Sequence, residues 1–144
     1  MLDDLEARAA GLGGRVRFHG PATRDAVREM LYASDIGLAP SVTAPNGDQD
    51  APVNTLKEQM ATGLPVVATR HGGIPELVID GVNGRLVSEH APGEIADAIE
   101  ELAGCPEDWP GMGAAGRRKV ISDFSSETIL ARTRAAYDRA LEAV

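Results

Sequence analysis

Asp50 and Glu58 stand with seven residues between them, and the segment joining them reads as the start of a helix. Pro52 suits a first helical position, where its missing N–H costs nothing. The N–H groups of Val53, Asn54 and Thr55 then have no acceptor within the helix. A helix beginning of this kind, with its partial positive charge, receives a phosphate or another anion. Further on, Gly72-Gly73 lets backbone approach a ligand or another segment closely. Plainer accounts stand beside each feature. Asp50 is also the acid that a helix dipole favours, Glu58 is also an ordinary solvated glutamate, and the glycine pair is also a tight turn.

The elements that must position these residues follow from period and punctuation. The helix carrying Glu58 has Val53, Leu56 and Met60 as its apolar seam, and at about 100° per residue Glu58 points away from it, one turn beyond Asn54. Gly63 closes this helix as a left-handed cap. Pro65-Val-Val-Ala-Thr69 is a short apolar run suited to a strand covered on both faces. Before these, residues 2–11 read as a helix with Leu2, Leu5, Ala9 and Leu12 on one side. Arg15–His19 alternates like a strand and stops at Gly20-Pro21, and Thr23 caps a helix carrying Val27, Met30 and Leu31. Ile36–Ala39 is a further strand, followed by a loop from Pro40 to Pro52 with an Asn46-Gly47 turn. Downstream come a helical turn at Pro75–Val78, a strand at Arg85–Ser88, and helices at Pro92–Ala103, Trp109–Ile121 and Ser125–Leu141. The last carries a stripe of Ile129, Leu130, Thr133, Tyr137 and Leu141.

Alternating strands and helices imply an α/β fold: a parallel, Rossmann-like sheet with helices on both faces. Ligands of such sheets bind beyond the carboxyl ends of the strands. His19-Gly20, Ser41 through Asp50 and Thr69 through Gly73 all follow predicted strands, so one rim collects the candidate residues.

The central stretch resembles the donor-sugar signature of retaining glycosyltransferases of the GT-B fold, family 4 type. The Asp50–Glu58 spacing matches two glutamates of that family. Gln59-Met-Ala-Thr-Gly63-Leu-Pro-Val-Val-Ala-Thr69 follows its pattern except at Gln59, and Gly72-Gly-Ile-Pro-Glu76 and Asp80-Gly-Val-Asn-Gly84 continue it. The likeness runs from about Val16 to Phe124 and is nearest to the exopolysaccharide, colanic-acid-like branch. It specifies the family and not the sugar.

The resemblance implies roles residue by residue. Glu58 would accept both ribose hydroxyls of the nucleotide, since two adjacent donors suit one bidentate carboxylate. Asp50 would contact the transferred sugar, although aspartate shortens the reach by about 1 Å, a misplacement that can cost ~100-fold in rate. Ala51, Pro52 and Val53 would offer the loop to the diphosphate, but the family has Gly directly after the first acid and Pro or Gly two residues after that, so here Ala replaces the Gly and Pro52 falls one residue early. Gly72 and Gly73 would lie by the donor sugar and phosphates. Gly20 would flank the base, and Ser41 would reach the nucleotide from its loop. Val16 and Phe18 read as core. His19, His71 and His90 have no ligand spacing and read as rim surface, with His71 the one to watch because it precedes the glycine pair. No metal and no cofactor is expected, the nucleoside-diphosphate sugar being a substrate.

At 144 residues the sequence is one domain with room for a core. Set against the resemblance, residues 1–144 read as the carboxyl-terminal part of a donor domain, the half of a GT-B fold lacking its first strands. A partial donor domain is not expected to turn over alone. It leaves two alternatives: a non-catalytic nucleotide-sugar-binding module and an inactive folded remnant. An acceptor domain or self-association would cover the exposed strand edge and the Ile129 stripe. The net charge of −8 argues against nucleic acid or an anionic membrane as partner. The single Cys105 rules out an internal disulfide. No run approaches the ~18 apolar residues of a transmembrane segment. A cytoplasmic setting, peripheral to the inner membrane in a complete enzyme, is the corresponding expectation.

Overall fold

In a computed structural model of the chain, residues 2–49 and 53–142 are described. They fall into two units, 1–30 and 31–144, each considered by itself.

The first unit opens with α1 (Leu2–Ala9), which runs into a 3-10 turn at Ala10–Leu12 and stops at Gly13, φ 60°. Leu2, Leu5 and Leu12 are all exposed. The predicted strand at Arg15–His19 does not form; these residues have no regular structure, and Val16 and Phe18 are exposed rather than core. Alternation selects a face for a strand but supplies no ladder partner, and without one the backbone groups stay with solvent. Helix α2 (Arg24–Tyr32) begins where expected, with the Thr23 hydroxyl accepting from the Ala26 N–H at 3.3 Å.

The second unit is built on three parallel strands, β1 (Gly37–Ala39), β2 (Val66–Thr69) and β3 (Gly84–Val87), in that spatial order. Leu38 pairs with Val67, and Val67 with Arg85. Among these strands β2 is the central one, with a neighbour on each side, and all four of its residues are buried. Its alternation divides the interior. Val66 and Ala68 face Leu56 and Met60 of α3 (Asn54–Thr62) and Ile74 and Leu77 of α4 (Ile74–Leu77). Val120 and Phe124 of α6 (Trp109–Phe124) close that side. Val67 and Val87 face the other way, onto Ala98 and Leu102 of α5 (Pro92–Gly104). The sheet is therefore covered on both faces, as the sequence implied. Each fully buried aliphatic side chain contributes about 1.5–3 kcal/mol.

The last two helices differ from their sequence bounds. Helix α6 reaches Phe124, three residues beyond the expected Ile121. Helix α7 (Ser126–Glu142) is capped by Ser125, whose hydroxyl accepts from the Thr128 N–H at 3.2 Å. Its apolar stripe contacts water: Ile129, Leu130, Tyr137 and Leu141 are all exposed. Among the described residues no helix is long and apolar enough to cross a membrane.

Candidate functional site

Parallel pairing sends the chain off the same rim of the sheet after each strand. Residues after β1 run through Ser41 toward the beginning of α3, those after β2 are Arg70–Gly73, and those after β3 are Ser88–His90. Helix α3 returns to the start of β2, so its amino end lies at this rim.

The first helical residue of α3 is Asn54, with Val53 as its cap. This shifts the helix from the expected start at Pro52. The Leu56 and Lys57 N–H groups donate to the Val53 carbonyl at 3.1 and 3.3 Å. The amides before Leu56 consequently have no acceptor in the helix, and its N-cap Val53 supplies no side-chain hydrogen bond. Asp50, Ala51 and Pro52, the sugar-contacting acid and the loop assigned to the diphosphate, lie outside the described residues. Glu58 is on the second turn and exposed, as is Asn54. The buried side of α3 is Leu56, Gln59 and Met60, with Val53 partly covered. Gln59, the departure from the family pattern, is thus an interior residue. Its Nε2 donates to the Leu38 carbonyl at 3.3 Å, while its buried Oε1 has no partner. Gly63 ends the helix at φ 88°, the Gly63 and Leu64 N–H groups donating back to Met60 and Gln59 carbonyls.

Gly72 has a φ of 46° and is exposed, while Gly73, at φ −82°, caps the short α4. Positive φ is therefore required at only one of the pair. Gly20 belongs to the first unit, with φ 64° and open space where a side chain would begin. Ser41 is half-buried, and its carbonyl accepts from the Thr69 hydroxyl, joining the end of β2 to the segment after β1.

One group at the rim has no counterpart in the sequence reading. His71 is buried, 1% exposed, and not a surface residue. Its Nδ1 lies 2.9 Å from Glu89 Oε1. Glu89 also accepts from the Thr43 N–H at 2.6 Å and the Thr43 hydroxyl at 3.1 Å. The Thr43 N–H bond first, and then that from His71, hold the Glu89 carboxyl below the usual carboxylate range. Gln49 extends the group, its Nε2 donating to the Thr43 hydroxyl at 3.0 Å. Segments following all three strands meet at this carboxylate. His71 precedes the glycine pair and so carried a weak signal. Glu89 carried none, because its partners lie 18 and 46 residues away.

Residues 2–104 match the family model described as "Glycosyl transferases group 1". The chain is 38% identical over 104 residues to WcaL of Salmonella typhimurium, assigned to colanic acid biosynthesis, covering 72% of this chain and 26% of that protein. It is 36% identical over 140 residues to the D-inositol 3-phosphate glycosyltransferase of Streptomyces griseus, covering 97% and 28%. Among solved structures, sucrose-phosphate synthase of Thermosynechococcus elongatus superposes with a TM-score of 0.83 at 26% identity, over 99% of this chain and 35% of that one. Anabaena HepE, in complex with UDP-glucose, superposes with a TM-score of 0.77 at 25% identity, over 99% and 37%. The chain belongs to the group 1 glycosyltransferase family, and its fold is that of part of a GT-B enzyme. It spans about a quarter of the length of the curated relatives it matches.

Proposed function

We propose that this chain is the donor-binding portion of a retaining glycosyltransferase. The complete enzyme moves a sugar from a nucleoside diphosphate to a saccharide or lipid-linked acceptor in polysaccharide biosynthesis, with its anomeric configuration kept. Glu58 takes the ribose hydroxyls, the amides at the start of α3 take the diphosphate, and Gly72-Gly73 lies along the sugar. Asp50, by the family pattern, touches the transferred sugar. The observation that carries this reading is the exposed Glu58 on a helix whose leading amides have no internal acceptor, at the strand-end rim. The UDP-glucose complex of HepE, a structural neighbour, supports the ligand class.

Calorimetric titration of UDP, GDP and ADP, with and without their sugars, tests it. One nucleotide class is expected to bind the wild-type chain, and Glu58→Gln to weaken that binding by about tenfold or more, the worth of charge-assisted hydrogen bonds. Binding indifferent to Glu58 would remove the assignment.

A further inference from the structure

The Glu89 carboxylate is the point at which segments from all three strand ends converge. It receives one backbone N–H, one hydroxyl and one imidazole nitrogen, with Thr43 and His71 as the residues bonded. Glu89 is 20% exposed at its side chain and His71 only 1%. A carboxylate bonded in this way is an anchor of fixed geometry, since bonds to an ionised acceptor are about twice as strong as neutral ones. The Thr43 side supports the segment 43–49: Gln49 bonds Thr43, the Ala44 N–H donates to the Asp48 carbonyl at 3.0 Å, and the Asp48 N–H to Asn46 Oδ1 at 3.1 Å. This segment leads toward α3, the helix that carries Glu58. The His71 side supports the turn that holds Gly72 and Gly73, where the His71 N–H also donates to the Thr69 carbonyl and its carbonyl accepts from Ile74.

We propose that Glu89 is a positioning residue for the donor: through Thr43 and His71 it fixes the segment 43–49 and the glycine turn in a single arrangement, so that the nucleotide sugar meets a pre-formed rim. This rests on the donor-site reading above. Glu89 itself need not touch the donor. Its contribution is the ordering of two loops before the ligand arrives, which lowers the entropic cost of binding. Glu58 and Glu89 therefore divide the work, one by contact and the other by arrangement.

Glu89→Gln keeps the shape of the side chain and removes its charge, and because Glu89 is at the surface side of the pair the variant is expected to fold. Thr43→Val is the second variant, removing only the hydroxyl. Two readouts are taken on each variant and on wild type: amide hydrogen exchange of residues 43–49 and 71–73, and affinity for UDP and UDP-glucose by calorimetry. In Glu89→Gln, exchange at Thr43 and through 43–49 is expected to accelerate by about tenfold and nucleotide-sugar affinity to fall by about tenfold, with exchange in β2 unchanged. Thr43→Val is expected to show a smaller change of the same kind. Unchanged exchange at Thr43 in Glu89→Gln overturns the proposal. So does faster exchange with wild-type affinity, provided that Glu58→Gln weakens binding. A wild-type chain that binds no nucleotide overturns the donor-site reading and, with it, positioning for a donor. The exchange readout then separately decides whether Glu89 clamps the two segments.

Discussion

Gly113 of α6 lies directly against the carbonyl of Gly63, the residue that caps α3; a Cβ built on Gly113 would overlap that oxygen. The close approach brings α6 onto the helix that carries Glu58. Three residues on, Gly116 has room: its Cβ would meet Met60 Cε at 3.6 Å and Asn83 Cβ at 3.7 Å, ordinary contact. The two glycines predict opposite outcomes. Gly113→Ala must push backbone against backbone and is expected to destabilise by about 1–3 kcal/mol. Gly116→Ala is expected to be neutral or to stabilise by up to about 1 kcal/mol, the helix-propensity gain. Urea unfolding of both variants separates them.

A second test concerns the sugar of the nucleotide. If Glu58 accepts both ribose hydroxyls, 2′-deoxy-UDP loses one donor and binds wild type about tenfold more weakly than UDP. In Glu58→Gln the difference between the two ligands should shrink. A ribose preference that survives the substitution would move this role to another residue.

Asn83 is 1% exposed and closes the loop before β3. Its Nδ2 donates to the Leu77 carbonyl at 3.1 Å and its Oδ1 accepts from the Ile79 N–H at 2.8 Å. Asn83→Leu would strand both backbone groups in the interior, at about 1–3 kcal/mol for each. Asn83→Asp keeps the acceptor but turns the Leu77 carbonyl toward another acceptor, and it should be nearly as damaging at neutral pH. Thermal unfolding of the two variants reads this directly, and equal stability to wild type would contradict the hydrogen-bond assignment.

Acid should weaken the fold through three hydrogen-bonded carboxylates. Glu89 is held low by the Thr43 N–H, Glu94 by the Ser88 N–H at 2.8 Å and Asp123 by its bond from Lys119. A group whose folded pKa is depressed adds stability above its unfolded value, and that stability is lost as pH falls through the folded one. Stability should therefore be steady at neutral pH and decline below about pH 4, the region of unfolded Asp and Glu. Glu89→Gln is expected to flatten part of this decline in urea midpoints measured from pH 6 to pH 3.

Gln59 and Gly37 supply a last prediction. A Cβ on Gly37 would stand 2.7 Å from Gln59 Oε1, the buried oxygen without a partner. Gly37→Ala alone should destabilise by about 1 kcal/mol or more. In a Gln59→Ala background much of that cost should vanish, because the obstructing tip is gone, although Val66 Cγ1 at 3.1 Å still has to give slightly. A double-mutant cycle with no coupling between the positions would refute the contact.

The parts of this fold that could be read in the sequence are those set by neighbours in the chain. The Gly63 cap, the Asn46-Gly47 turn, the Thr23 cap and the buried Val66–Thr69 strand each depend on a few consecutive residues. Where the decisive partner is remote, the reading failed. Arg15–His19 has the alternation of a strand but no ladder. His71 reads as a surface residue because the carboxylate that pairs with its Nδ1 is 18 residues away. The exposed side of α3 was readable from helical period, which placed Glu58 away from the core. The burial of Gln59 was not, since it depends on the absence of a side chain at Gly37.

The division of β2 between two interiors has a consequence for how this protein can change. Val66 and Ala68 serve one interior and Val67 the other, and the same strand ends in Thr69 and delivers His71 to the rim. A slip of one residue along this strand would exchange the two interiors and carry the rim groups out of place together. Substitutions can thus accumulate in the loops more freely than in the strand beneath them, whose packing and aim are one constraint.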